Sequence, residues 1–422
     1  MPATRAVTFA RTAVLGLLVL IPGVMAFASG PVESVIHKFT GSPDGTTPLG
    51  ALVADAGGNL YGAAPEGGSC TVSTRGCGVV FKLSPPATQG GAWTETILYT
   101  FTGGSDGANP NGTLIFDKQG NLFGGRNGGI FELSPPATQG GAWTETNLPS
   151  PGSQQGSKLL FYGGNFYGVT QDGGSANLGT AFILKPPSIV GGTWKYRIIH
   201  NFGVVSGDGT HPVAGLVVRS GSFYGITNQG GAHGNGIGTV FQLTPKNGVW
   251  TETILYDFTS TGGEGGFPYG PLIFDPAGNI YGTTSQGGFG VPNPGVVYEL
   301  SPPTSPGSPW QETTLYSFTA AKSGSNPMAG VIRDAANNLY GTTFDGGIGS
   351  GLGVVFKLKP PQTPGGAWTE VVLHSFGGIA HSDGANPSGE LILLKGSFYG
   401  TTSAGGLALN PVPGGTVFSL VQ

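Results

Sequence analysis

Short apolar runs separated by glycine-rich polar loops recur along the chain from residue 33 to its end. One kind of run, such as Pro271-Leu-Ile-Phe-Asp275 or Gly112-Thr-Leu-Ile-Phe-Asp117, is apolar without alternation, as suits a strand covered on both faces. A turn of the form Asp-x-x-Gly-Asn follows at Asp55, Asp117 and Asp275, where the Asp side chain bonds nearby N–H groups and Gly accepts positive φ. The next piece, Asn-Leu-Tyr-Gly-Thr-Thr, leads through a Gly-Gly loop to a third apolar run such as Gly238-Thr-Val-Phe-Gln-Leu243. Pro-Pro ends that run at Pro85-Pro86, Pro135-Pro136, Pro186-Pro187, Pro302-Pro303 and Pro360-Pro361, because proline cannot donate to a strand ladder. A fourth piece opens on a tryptophan, as in Trp93-Thr-Glu-Thr-Ile-Leu-Tyr-Thr-Phe101, and returns from Trp143, Trp194, Trp250, Trp310 and Trp368. The pattern predicts four short strands per unit.

The unit repeats seven times. Asn59-Leu60-Tyr61-Gly62 returns, with conservative changes, at residues 121, 165, 222, 279, 338 and 397, mostly 57–62 residues apart with one interval of 44. Leu83–Thr96 recurs unchanged as Leu133–Thr146. Four antiparallel strands in ~40–60 residues describe a propeller blade. The chain stops on a third strand, Gly415-Thr-Val-Phe-Ser-Leu420, and the missing fourth strand lies at the other end, where Glu33-Ser-Val-Ile-His-Lys-Phe39 aligns with Glu95–Phe101. The expectation is an all-β, seven-bladed propeller over residues 29–422, closed by an N-terminal strand in the last blade.

Composition agrees. Gly and Pro, 80 and 33 of 422 residues, approach the level of disordered chains, but only 9% of residues are charged while 38% are hydrophobic. Residues 1–28 read as a signal peptide: Arg5 and Arg11, an apolar stretch over residues 13–21, then Ala26-Phe27-Ala28 as the cleavage site. That stretch is shorter than the ~20 residues of a bilayer span. Cleavage after Ala28 takes the net charge from −4 to −6 and places the protein in the periplasm or outside the cell. No basic stretch suits nucleic acid, no further segment suits a membrane span, and a monomer is expected. Export makes a Cys70–Cys77 disulfide plausible; no second Cys or His pair accompanies it as a zinc site requires.

These repeats, with Gly-Thr-Val-Phe, Trp-x-Glu-x-x-Leu-Tyr-Ser-Phe and Asp-Gly-Ala-Asn-Pro, resemble the Gloeo-Verruco (GloVer) tandem-repeat proteins, which are exported bacterial proteins. The resemblance covers nearly the whole mature chain and carries over no catalytic residue. Such proteins often bear a C-terminal surface-sorting tail; the strand sequence running to Gln422 reads as release instead.

Chemistry is expected on loops at the channel mouth, where propellers gather the connections into the innermost strands and those between strands two and three. Candidate ligand contacts are Asp44, Asp106, Asn109, Asp208, His211, His233, Asp383 and Asn386. As a ring, the Asp and Asn would bond sugar hydroxyls or contribute to a hard-cation site; singly, each Asp-Gly is a turn whose carboxylate caps backbone. His37, His200 and His374 stand where other repeats have Tyr99, Tyr256 and Tyr316, which reads as a structural role, and His381 carries a weaker signal still. The tryptophans read as inter-blade packing. Glu95, Glu145, Glu252, Glu312 and Glu370 read as solvated edge charges. No catalytic motif, metal loop or cofactor signature is present. The leading expectation is a non-enzymatic recognition module, for polysaccharide or another extracellular ligand. The alternatives are an extracellular lyase or hydrolase centred on Asp208, His211 and His233, and a pure scaffold. The second and third units, with Gly125-Arg-Asn-Gly-Gly129 and Leu148-Pro-Ser-Pro151, depart most from the pattern.

Overall fold

A computed structural model describes residues 31–421 apart from 71, 89, 139, 151–157, 190–191, 234–235, 260, 262, 290–293, 306, 364 and 408–413. The expected signal peptide lies outside the described residues. Seven antiparallel sheets follow one another along the chain, each with four strand positions; the inner strand of the fifth and seventh is broken in two. We number the blades from the sheet holding Val79–Ser84 and call the interface between neighbours a seam. The seventh blade is completed by Val32–Lys38, which pairs with Thr416–Val421 and sets Val35 opposite Phe418. The all-β, seven-bladed fold read from the repeats is the observed one.

The core lies between blades. Seven clusters of buried apolar residues each join one blade to the next, and the cluster of Phe39, Val417, Leu52 and Phe81 joins the seventh to the first. One contact recurs through six seams. The Phe that ends a fourth strand packs against the third-strand aromatic of the following blade, edge-on in five seams, as in Phe39–Phe81, Phe101–Phe131 and Phe376–Phe418, and tilted in Phe202–Phe241. That ring in turn lies over the second-strand glycine of its own blade, so a Cβ on Gly62 or Gly341 would come within 2.5 or 2.7 Å of Phe81 or Phe356. The Tyr-Gly pair of the repeat is therefore a packing requirement. Each Trp packs on a neighbour as expected: Trp93 on Tyr399, Trp194 on Phe123, Trp250 on Tyr167.

The Asp-Gly-x-x-Pro loops lock one blade to the next. The residue before the proline is left-handed in every case, and the N–H of Asn109, His211, Phe267, Asn326 and Asn386 donates to a carbonyl of the preceding blade at 2.7–2.8 Å. The proline then packs on the glycine that opens the neighbouring third strand, as Pro387 does on Gly353. The turn aspartates behave as read: Asp55 accepts from the N–H and Nδ2 of Asn59 and from the Tyr61 hydroxyl.

Six fourth strands carry a β-bulge, at Ile36, Leu98, Ile199, Leu255, Leu315 and Leu373. Without it, residues four apart such as Glu95 and Tyr99 would share a face. With it, Glu95 faces the seam behind its blade and Tyr99 the seam ahead.

Cys70 and Cys77 form the expected disulfide, in the loop between the second and third strands of blade 1. Replacing both by Ser should lower stability by about 2.5 kcal/mol, the loop-closure value for so short a loop; urea unfolding with and without reductant checks this. Among the described residues no helix is long and apolar enough to cross a membrane. The disulfide is consistent with a periplasmic or extracellular protein.

Candidate functional site

The residues following the loop prolines line the axis in tiers. The outermost tier is Leu49, Asn111, Val213, Tyr269, Met328 and Ser388, one each from six blades. Below it the inner strands nearly touch. A Cβ on Gly50 would lie 2.1 Å from the Gly112 carbonyl oxygen, and one on Gly270 the same distance from the Gly330 nitrogen. Small residues are thus required here, and they leave the axis open. The third tier is Ala51, Thr113, Lys158, Gly215, Pro271, Gly330 and Glu390. Five of its members are small or uncharged, while blade 3 supplies Lys158 and blade 7 supplies Glu390. Their charged atoms lie 4.0 Å apart.

Two cavities meet at this pair. The one opening through the outer tier has a volume of about 460 Å³, adds the Phe344 side to the rim, and presents both apolar and polar surface. The second, about 300 Å³, continues past Arg333, Asp334 and Tyr340; both include Ala51, Lys158 and Glu390. Glu390 is 15% exposed; burial pushes its carboxyl up, and Lys158 pulls it partly back. The arrangement offers a hydroxyl-bearing ligand a donor and an acceptor side by side, beneath a tyrosine face and an apolar rim.

The aspartates expected to form a ring at the mouth sit in separate seams, each buried and committed to its own loop. Asp44 accepts from the Thr40 N–H and hydroxyl, Asp106 from those of Thr102 and from Tyr99, and Asp383 from the Gly377 N–H and His374. Burial would push the Asp106 carboxyl up, but these donors outweigh it and hold the group below the usual range. Asp208 is the exception. It receives one N–H, from Val204 at 3.3 Å, and burial with Glu252 beside it pushes its carboxyl up to about 6. Asn109, His211 and Asn386 stand two residues before the rim residues Asn111, Val213 and Ser388. Asn109 and Asn386 donate side-chain bonds to the Pro65 and Phe344 carbonyls, and the His211 ring bonds Thr210. His233 pairs with Asp257 at 2.9 Å and is 62% exposed. The structure thus gives His211 and His233 different partners.

The glutamates read as edge charges are in the seams. Each meets the Tyr or His of the preceding blade: Glu95 meets His37, Glu252 meets His200, Glu370 accepts from the Tyr316 hydroxyl. Alternation alone could not reveal this, because the bulge reverses facing within the strand. Burial, foremost, raises Glu33, Glu312 and Glu370 to about 7. A carboxyl whose folded-state pKa is raised binds its proton more tightly in the fold. The stability it contributes is therefore complete below about pH 4.5 and lost as pH climbs through about 7. Chelator-treated protein should melt roughly 5 °C higher at pH 5.5 than at pH 8.5. Glu312→Gln with Glu370→Gln should remove much of that difference in a pH series of thermal melts.

Lys158 and Glu390 went unnoticed in the sequence. Lys158 follows the divergent loop of the third unit, where no Pro-x-Gly marks the register; aligning each unit on its buried Leu or Val (Leu52, Leu159, Val331, Leu391) brings the two together.

The repeat described as the Gloeobacter/Verrucomicrobia repeat matches residues 124–308 and 290–422. No curated protein matches the chain. Among solved structures it is similar to the extracellular domain of a hybrid two-component system from B. thetaiotaomicron (13% identity, TM-score 0.51, covering 92% of this chain and 41% of that one). It is also similar to the Cps50 (Swd1) β-propeller domain of Myceliophteria thermophila (8% identity, TM-score 0.50, covering 93% and 100%). At such identities the likeness is one of fold.

Proposed function

Because the chain belongs to the Gloeobacter/Verrucomicrobia repeat family, whose repeats it closes into a propeller, we propose that it is an exported, non-enzymatic recognition module that takes the end of a glycan into its axial mouth. Export follows the signal peptide cleaved after Ala28, and the ring acts as a monomer. The observation that carries the reading is the placing of Lys158 and Glu390 at one tier of an otherwise small-residue channel. A sugar has an apolar ring face and hydroxyls that both donate and accept. Tyr269 and Met328 suit the face, while Asn111, Ser388, Lys158 and Glu390 suit the hydroxyls. The cavity volume lies within the roughly 300–1,000 Å³ of small-molecule sites. Asn109, His211, His233 and Asn386 would meet a longer chain outside the mouth.

A glycan array followed by calorimetric titration tests this. A bound oligosaccharide should lose at least tenfold in affinity on Lys158→Met with Glu390→Gln, with the melting temperature little changed. A broad array without a single binder sinks the reading. Cleavage of the bound glycan would favour the extracellular-enzyme alternative, with the same pair as acid and base.

A further inference from the structure

We propose that the seam between blades 3 and 4 holds a divalent first-row transition ion, of the Zn²⁺ kind, on His200 Nε2 and the carboxylates of Asp208 and Glu252. One donor atom from each residue lies within 4.8 Å of the others. His200 Nε2 is 3.2 Å from Glu252 Oε2 and 3.9 Å from Asp208 Oδ2. Metal–ligand bonds of about 2.0–2.2 Å in a tetrahedron separate neighbouring donors by about 3.3 Å, within that spread.

The independent observation is the state of Asp208. Its side chain is 1% exposed, yet Oδ1 has no hydrogen-bond partner, and neither has His200 Nε2. Leaving a buried carboxylate oxygen unmatched is costly. The equivalent aspartates of other seams, Asp44, Asp106 and Asp383, have both oxygens matched. In the seam between blades 1 and 2, Asp106 receives the hydroxyls of Tyr99 and Thr102. Here both hydroxyls are lost, since His200 stands in place of the tyrosine and Val204 in place of the threonine. What remains is one imidazole and two carboxylates, a net negative, partly dehydrated set. Imidazole disfavours Ca²⁺ and Mg²⁺ and suits Zn²⁺, which also takes carboxylate oxygens. His200 and Glu252 are 18% and 10% exposed, so an ion has a path from solvent and a position left for water.

The closing seam is an internal control. His37, Asp44 and Glu95 are grouped in the same way, and His37 Nε2 and Glu95 Oε1 likewise have no hydrogen-bond partner, but there Thr40 keeps its place and supplies Asp44 with an N–H and a hydroxyl, so the aspartate itself is matched. One ion per chain is therefore expected, although the sequence carries no recognised metal motif.

The test is chelator treatment of the full-length protein followed by titration with Zn²⁺, with Co²⁺ as a spectroscopic probe and Ca²⁺ as a control. One Zn²⁺ should bind per chain and raise the melting temperature by several degrees, Co²⁺ should give visible d–d bands, and Ca²⁺ should do neither. His200→Tyr with Val204→Thr reproduces the set found between blades 1 and 2, so it should fold and lose the Zn²⁺ effect; Asp208→Asn should lose it too. His37→Tyr should keep it. Absence of Zn²⁺ binding by the parent protein, or binding that survives the His200→Tyr/Val204→Thr change, overturns the proposal.

Discussion

Deleting Val32–Lys38 is expected to leave a protein that no longer unfolds in a single cooperative transition and that associates on size-exclusion chromatography. The strand makes six paired positions with Thr416–Val421, and it holds Phe39 against Phe81 in the first blade. Its loss removes several ladder bonds at roughly 1 kcal/mol each and the burial of Ile36 and Phe39, a total on the order of 5 kcal/mol or more. It also bares the whole of Thr416–Val421 as a free edge, which invites pairing between chains. Thermal melts should fall by about 10 °C or more, and a synthetic peptide spanning Pro31–Phe39 should restore part of the loss. A monomeric deletion variant that melts like the parent would mean that closure is dispensable.

Gly341→Val should be strongly destabilising to the core. Even a Cβ meets Phe356 Cζ at 2.7 Å and Val331 Cγ1 at 3.3 Å, with fully buried neighbours on both sides. Branching at Cβ adds atoms where none fit, and overpacking of this kind costs about 3 kcal/mol. Shortening the ring that overlies the glycine should relieve it: Gly341→Val with Phe356→Leu should be more stable than the sum of the two single changes predicts. Urea unfolding of the four proteins measures the coupling. A Gly341→Val variant within about 0.5 kcal/mol of the parent would show that the ring moves aside freely.

The architecture was legible because the repeat is written in residue types with local mechanical roles. Asp-x-x-Gly-Asn makes a turn, Pro-Pro stops a strand, and Glu33–Phe39 copies Glu95–Phe101 closely enough to reveal the closing strand. The seam chemistry was hidden for an equally local reason. One extra residue at Leu98, and at its five counterparts, sends Glu95 backward and Tyr99 forward, whereas a regular strand would put both on one side. The aspartates were visible but their setting was not, since whether Asp-Gly faces a channel or a neighbouring blade depends on how the blades pack. Lys158 and Glu390 are 232 residues apart in sequence and meet only because the ring is closed.

That closed ring also imposes an order of assembly. Six blades are built from consecutive residues and can fold as each emerges, but Ser34 and Ser419, which meet in the finished protein, are separated by 385 residues. The first strand of the ring must wait until the seventh blade has been synthesised before it finds its partner. Such distant pairing is slow to form, and the waiting segment is open to wrong partners meanwhile. Glu33 and Lys38, a charge near each end of this segment, suit it to remain hydrated through that interval.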